Sequence, residues 1–247
     1  MMRAMATNVD VFGRALWDWA RGGSVPEMIE RDDGYFESGA GAPVYLAPLK
    51  EWPAAERQAM RYVRGRVVDV GCGAGRVALH LQRRGLAVVG LDRSAFALRA
   101  AKLLGVQSLW RASLDDLVGR LEDFDSVVLF GNNFGLFESP ERARALLTSW
   151  AERAKPGTRI FAESTNAYGG AAPAIDRAYY RRNLANGRSP GEVRLRYRYE
   201  DLVSPWFTWL FVSRSEMRAI VHGTGWRIAR VLGEHPSEPY VAVLEKL

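Results

Sequence analysis

The stretch Val67-Val68-Asp69-Val70-Gly71-Cys72-Gly73-Ala74-Gly75-Arg76 constrains the fold more than any other part of the chain. An apolar run ends in an acidic residue, passes through glycines at every second position and enters a helical pattern. The spacing predicts a short buried strand over Val67–Val70, a tight loop, and a helix from about Arg76 to Arg84. Gly71 and Gly73 permit a turn with positive φ. Without Cβ atoms there, a ligand can lie against the backbone. The helix behind the loop offers unpaired N–H groups, which suit the carboxylate of an amino acid as well as they suit a phosphate.

Around this stretch, helical and strand patterns alternate, which argues for βα units and a mainly parallel sheet. Strands are expected at Ala87–Leu91, Val106–Trp110, Asp125–Phe130 and Thr158–Glu163. Helices are expected from Ser94, an N-cap, to Leu104, and from Ser139-Pro140 to Ala154. Before the core, residues 1–64 read as a helical cap: Val9–Arg21, then Glu27–Arg31 started by Pro26, then Trp52-Pro53 through Tyr62. Asp33-Gly34 and Gly39–Pro43 read as loops. After Glu163 the pattern changes. Residues 166–212 form a late insertion, with a helix over Asp176–Leu184 and strands over Val193–Tyr199 and Trp206–Val212. Residues 213–247 give a helix over Ser213–His222 and two strands, Trp226–Leu232 and Tyr240–Leu244. The expected organisation is one domain, with 65–165 as its core.

The composition narrows the function classes. Apolar residues make up 48% of the 247, enough for a sizeable core. No run approaches the roughly 20 uncharged apolar residues of a membrane helix, and the N-terminus shows no signal-peptide pattern. A cytoplasmic protein without membrane contact is the expectation. Cys72 is the one cysteine, so no internal disulfide is expected. With His80, His222 and His235 far apart, no metal site is expected. The net charge is +6, carried almost wholly by arginine. Arg177, Arg181, Arg182, Arg188, Arg194, Arg196 and Arg198 crowd the insertion. They read as a solvated face, or else as a surface for RNA or an acidic substrate.

The glycine spacing departs from the dinucleotide fingerprint G-x-G-x-x-G, whose third glycine would stand at Arg76. Gly75 comes one residue early, which disfavours a nicotinamide oxidoreductase. Asp92 ends the next strand, about 20 residues beyond the loop. It reads either as an N-cap for the following helix or as an acceptor for both hydroxyls of a ribose.

Asp69–Gly75 together with Asp92 resembles the first motif and the ribose-binding acid of class I S-adenosylmethionine-dependent methyltransferases. The resemblance runs from about Arg66 to Ile160, with Phe124–Val128 as the fourth strand and Lys155-Pro156-Gly157 before the fifth. Met217–Leu247 resembles the C-terminal region of small-molecule members. The first part, with Tyr45-Leu46-Ala47-Pro48 and Trp52-Pro53, resembles an actinobacterial subgroup. The resemblance implies a doubly wound, Rossmann-like α/β fold. Its sheet would have seven strands, mainly parallel, with the last antiparallel. It further implies S-adenosylmethionine as methyl donor and S-adenosylhomocysteine as product. Methyl transfer to an O or N atom of a small molecule follows, in secondary metabolism. An RNA or other nucleic-acid substrate and a noncatalytic interaction module are the alternatives. A homodimer is left open.

For the cofactor, the resemblance implies Asp69, Gly71, Cys72, Gly73 and Gly75 from the loop. Asp92 and Arg93 follow the second strand, Ser113 and Leu114 the third, and Asn132 the fourth. Many members carry an acid for the adenine amino group where Ser113 stands here, and Asp115 is its expected substitute if the loop is shifted. Gly131-Asn132-Asn133-Phe134-Gly135 lacks the prolines of enzymes that methylate amino groups of bases. Its asparagines either bind ligand or cap the loop. Methyl transfer from a sulfonium is an in-line displacement that mostly needs positioning, so no catalytic triad is expected. His235 is the first candidate for a base and Glu163 the second. Tyr35, Tyr45, Asn133 and Trp206 are the substrate-side candidates, the tyrosines as a lid and Trp206 as an aromatic wall.

Overall fold

A computed structural model describes residues 10–168, 174–235 and 238–247. In chain order the first elements are α1 (Val11–Ala20), β1 (Met28–Arg31), β2 (Phe36–Ser38), α2 (Gly41–Tyr45) and α3 (Ala54–Ala59). The core follows as β3 (Val67–Val70), α4 (Arg76–Arg83), β4 (Val88–Asp92), α5 (Ala95–Leu103), β5 (Leu109–Arg111), β6 (Ser126–Leu129), α6 (Pro140–Arg153) and β7 (Arg159–Ser164). The chain closes with α7 (Ala174–Ala185), β8 (Glu192–Tyr199), β9 (Leu202–Val203), β10 (Phe207–Leu210), α8 (Arg214–Val221), β11 (Trp226–Leu232) and β12 (Tyr240–Lys246).

Seven strands form the main sheet in the order β11-β12-β7-β6-β3-β4-β5. The strands from β3 to β7 pair in parallel, and β12 runs antiparallel to β7 and to β11. All four residues of β3 and of β6 are buried. This fits strands covered on both faces by helices, which read as continuous apolar runs. One face packs Leu117, Leu121, Phe137, Leu147, Trp150 and Trp226. The other packs Trp52, Ala55, Val77, Leu81 and Phe161. The chain order reverses between β3 and β6, so the crevice for a ligand opens at the carboxyl ends of β3 and β6, next to that of β4.

Helix starts follow their sequence signals. The Ser94 side chain accepts a hydrogen bond from the Ala97 N–H, Ser139 caps Arg142 with Pro140 at the first turn, and Ser213 with Glu216 forms a capping box.

The cap is not helical throughout. Glu27–Arg31, expected as a helix, lies in extended backbone. Its residues 28–31 pair antiparallel with β8, and residues 28–30 also pair with β2 through the Asp33-Gly34 turn. Partners about 165 residues away supply what the local sequence does not, and tertiary pairing overrides a weak helical pattern. Cap and insertion therefore share a second sheet, β10-β8-β1-β2, with β9 on β8. The strand expected over Val106–Trp110 starts at Leu109 instead. Val106 leaves the ladder to pack where a Cβ on Gly75 would stand, 2.5 Å from its Cγ2.

Candidate active site

The glycine loop sits at the carboxyl end of β3. Gly71, Gly73 and Gly75 have φ of 67°, 54° and 85°, the left-handed region that glycine occupies without steric cost. Their surroundings differ. A Cβ on Gly75 would collide with Val106, and one on Gly71 would lie 2.6 Å from Nδ2 of Asn133. A Cβ on Gly73 would meet only Leu16 of α1, at 3.4 Å. Gly75 thus serves packing, and Gly73 is the position where backbone is open to an approaching group.

Asp92 holds the next strand end. One carboxylate oxygen accepts from the Gly73 N–H at 3.0 Å, the other from the Ser94 N–H at 2.8 Å. A carboxylate has about four acceptor positions, so two remain for a pair of hydroxyls. Burial pushes its pKa up against these two bonds. Both readings of this residue meet here, since Ser94 opens α5 while Gly73 belongs to the loop. Asp69 is buried behind the loop and accepts from the Ala78 N–H of α4 at 3.1 Å. Burial raises its pKa to about 7. It braces loop to helix and does not face the crevice. The Cys72 thiol is also buried and pushed up by burial, with its N–H bonded to Leu91 O.

Beneath the loop lies an ionic cluster that the sequence did not signal. Arg76 forks onto Glu56 with two bonds of 2.6 Å and stacks over Trp52 at 4.5 Å. Glu163 accepts from the Gly131 N–H at 2.6 Å, and the Glu56 oxygen accepts from the same N–H at 3.3 Å. Burial, then the neighbouring Glu56, pushes the Glu163 carboxyl well up. The bond to Gly131 ties Glu163 to the β6 loop, a bracing geometry.

The remaining rim residues are mostly engaged with one another. Ser113 donates to Asp116 through Oγ at 2.7 Å and through its N–H at 2.8 Å. Asp115 pairs with Arg142 at 2.6 Å, so the substitute expected for adenine is turned to the surface. Leu114 is buried beside them, and Arg93 is exposed next to Asp92. Asn132 has φ of 59° and accepts from Thr165 Oγ1 at 2.6 Å. Asn133, expected on the substrate side, donates to the carbonyls of Val70 and Gly71 at 2.8 and 3.1 Å. It ties the β6 loop to the end of β3.

Of the lid candidates, Tyr45 stands over the loop. It stacks on Trp19 with centroids 5.8 Å apart and meets Phe12 at 5.1 Å. Tyr35 sits at the β1–β2 turn against Arg31 at 4.8 Å, away from that cluster. Trp206 lies on Arg196 at 4.4 Å, on the arginine side of β8. The aromatic face toward the core is Tyr197, Phe207 and Trp209 instead. Tyr197 stacks on Phe12 at 4.8 Å, and Trp209 reaches Gly135 beyond β6. Tyr197, with Phe12, Leu16, Trp19, Tyr45 and Tyr199, packs on Ala74 of the glycine loop and Ala97 of α5. Asp10, which the sequence did not single out, pins this roof by accepting from Ser94 Oγ at 2.6 Å.

His235 lies in the β11–β12 connection, at the carboxyl end of the sheet because Tyr240 pairs with Ser164. Strands are spaced about 4.8 Å apart, and β12 is three strands from β3, so His235 stands at the far rim. The arginine run is largely paired. Arg196 and Arg198 bind Glu30 at 2.6 Å, Arg182 binds Asp32, and Arg188 binds Asn183.

A model of the methyltransferase domain matches residues 67–157. A ubiquinone biosynthesis O-methyltransferase from Brucella melitensis biotype 2 is 30% identical over 192 residues, 72% of either chain. The chain belongs to the class I S-adenosylmethionine-dependent methyltransferases. Proteins of the same name from Hahella chejuensis and Rhizobium etli are 32% and 31% identical, but the chain spans only 43% and 52% of their lengths. A methyltransferase from Bacteroides fragilis, solved in complex with S-adenosyl-L-homocysteine, shares the fold. Its TM-score is 0.79 and its identity 21%, over 99% of this chain and 98% of that one. Among the described residues, no helix of this methyltransferase is long and apolar enough to cross a membrane.

Proposed function

We propose that this methyltransferase transfers the methyl group of S-adenosylmethionine to an oxygen of a small molecule held under the roof. The observation that carries the reading is the pairing of Asp92 with Gly73. An acid with two free acceptor positions borders a loop residue whose missing Cβ leaves the backbone open. The donor set fits the cofactor. Asp92 would hold the ribose hydroxyls, the loop and the first turn of α4 the amino-acid end, and the Ser113–Leu114 backbone the adenine edge. Bound there, the cofactor supplies an electrophilic methyl on a sulfonium.

The chain's own task is to align the acceptor and exclude water. The Arg76–Glu56–Glu163 cluster keeps the floor rigid, Asn133 fixes β6 against β3, and α1 with β8 closes the top. The aromatic roof over the loop favours a small acceptor over a nucleic acid, and the ion-paired Arg182, Arg196 and Arg198 leave less basic surface for phosphates. The relatives named as O-methyltransferases support oxygen as the acceptor atom. The N-terminal part is the region by which an actinobacterial subgroup would be distinguished, and it supplies the roof. We assign cap and insertion to one substrate-side unit, because β1 and β8 share a sheet. His235 remains the candidate base at the rim.

Incubation with S-adenosylmethionine and a panel of phenols and catechols, followed by mass spectrometry, tests the proposal. The expected result is S-adenosylhomocysteine formed together with an O-methylated product. Methylation of RNA in place of any small molecule would refute it.

A further inference from the structure

The roof contains a buried carboxyl, Glu27, with no side-chain partner among the described residues. Glu27 stands just before β1, and its side chain has no solvent exposure (0%). Among the described residues neither carboxylate oxygen has a hydrogen-bond partner. Gly39 lies against it, where a Cβ would stand 2.1 Å from Oε1. Burial raises the Glu27 pKa, and the amides of Glu27 itself and Gly41 offset this only in part. Its negative charge reaches the Tyr45 and Tyr197 rings and, after burial, helps raise their pKa values. These are the rings that meet Phe12 at 5.1 and 4.8 Å over the glycine loop.

Burying a carboxylate without a counter-charge disfavours its charged form. A chain that only needed to fill this space would place a neutral side chain there. Unpaired buried polar groups of this kind mark functional positions. A carboxyl near the Tyr45 and Tyr197 rings receives one chemistry well, a protonated amine. Such a group gains both the ion pair and the attraction of the ring faces. A cleft of about 410 Å³ is lined by residues that flank Glu27 and Tyr45 in the chain, Ser24, Ala42, Pro43 and Leu46 among them. Its walls are α2 and the segment that leads into Glu27.

We infer that Glu27, with Tyr45 and Tyr197, forms a subsite for a protonated amine on the methyl acceptor. The inference rests on the methyl-transfer reading above and names the substrate class, an amine-bearing alcohol or phenol. An ammonium has no lone pair. A nitrogen held by Glu27 is therefore a handle and not the methylated atom, and the methyl goes to a hydroxyl elsewhere on the same molecule.

Two matched pairs of probes test this, dopamine against 4-ethylcatechol and tyramine against 4-ethylphenol. Each is titrated by calorimetry into wild type, Glu27→Gln and Glu27→Asp, all saturated with S-adenosylhomocysteine. A charge-assisted contact predicts that each amine binds wild type about tenfold or more tighter than its neutral counterpart. Glu27→Gln should abolish the preference, and Glu27→Asp, which withdraws the carboxylate by one methylene, should weaken it. Affinity for S-adenosylhomocysteine should stay unchanged in both variants. Should Glu27→Gln fail to fold, Glu27→Asp and the wild-type preference still decide. Equal binding within both pairs, or a preference that survives in Glu27→Gln, overturns the inference. Loss of S-adenosylhomocysteine binding in the variants would assign the carboxylate to the amino group of the cofactor and overturn the acceptor assignment. Failure of wild type to bind S-adenosylhomocysteine would instead sink the methyl-transfer reading itself.

Discussion

The floor and the roof of the site bury charge in opposite ways. In the floor, Arg76, Glu56 and Glu163 are enclosed together, and every carboxyl there meets a guanidinium or an N–H. In the roof, Glu27 is enclosed without a guanidinium, and only the amides of Glu27 itself and Gly41 stand near its carboxyl. Paired burial makes a rigid platform, because breaking one member exposes the others to an uncompensated charge. Unpaired burial makes a binding position, because the missing partner can arrive with a ligand. The same contrast appears in the backbone. Gly75 is packed solid against Val106, whereas Gly73 faces only Leu16.

Substituting the floor should have the largest effect. Arg76→Met strands two buried carboxyls and is expected to cost about 3–5 kcal/mol. The loss would be read as a lower denaturant midpoint. A change below 1 kcal/mol would mean that the floor is wetter than the geometry indicates. Next comes Gly75→Ala, which forces a side chain into the left-handed region against Val106. It should cost roughly 2 kcal/mol. Gly73→Ala meets the same conformational penalty without the collision, so its stability loss should be smaller and its loss of cofactor affinity larger. Equal losses in both respects would erase the distinction between the two glycines.

The smallest effect is expected in the roof, and with the opposite sign. Glu27→Gln removes a buried charge and should raise the melting temperature at neutral pH. A carboxyl whose folded pKa lies above its unfolded value contributes most below the unfolded value and loses that contribution as pH rises through the folded one. The gain in Glu27→Gln should therefore grow from acid toward neutral pH, as thermal melts at several pH values would show. A gain that shrinks with rising pH would place a hidden positive partner beside Glu27.

The floor was the more legible half. Its loop is written in contiguous residues, and Ser94, Pro140 and the Ser213–Glu216 box mark helix starts locally. The roof depends on contacts far apart in sequence. Glu27–Arg31 becomes a strand only because β8 reaches it, and no local pattern carries that information. Some of it was available in the alternation of Arg194, Arg196 and Arg198 with Val193, Leu195, Tyr197 and Tyr199. That period of two assigns the arginines to one face and the rings to the other. The pairing of Glu56 with Arg76 joins a cap helix to the loop and left no sequence signal. Asn132 and Asn133 were ambiguous because a glycine-flanked asparagine suits a ligand and a loop cap equally well.

The most direct test of the account is a calorimetric titration of wild type and Asp92→Asn with S-adenosylhomocysteine and, in parallel, with NAD. The account predicts saturable, one-site binding of S-adenosylhomocysteine to wild type, no binding of NAD, and a loss of at least about tenfold in Asp92→Asn, the scale of one charge-assisted hydrogen bond. Unchanged affinity in a folded Asp92→Asn protein, or NAD binding in place of S-adenosylhomocysteine, would contradict it.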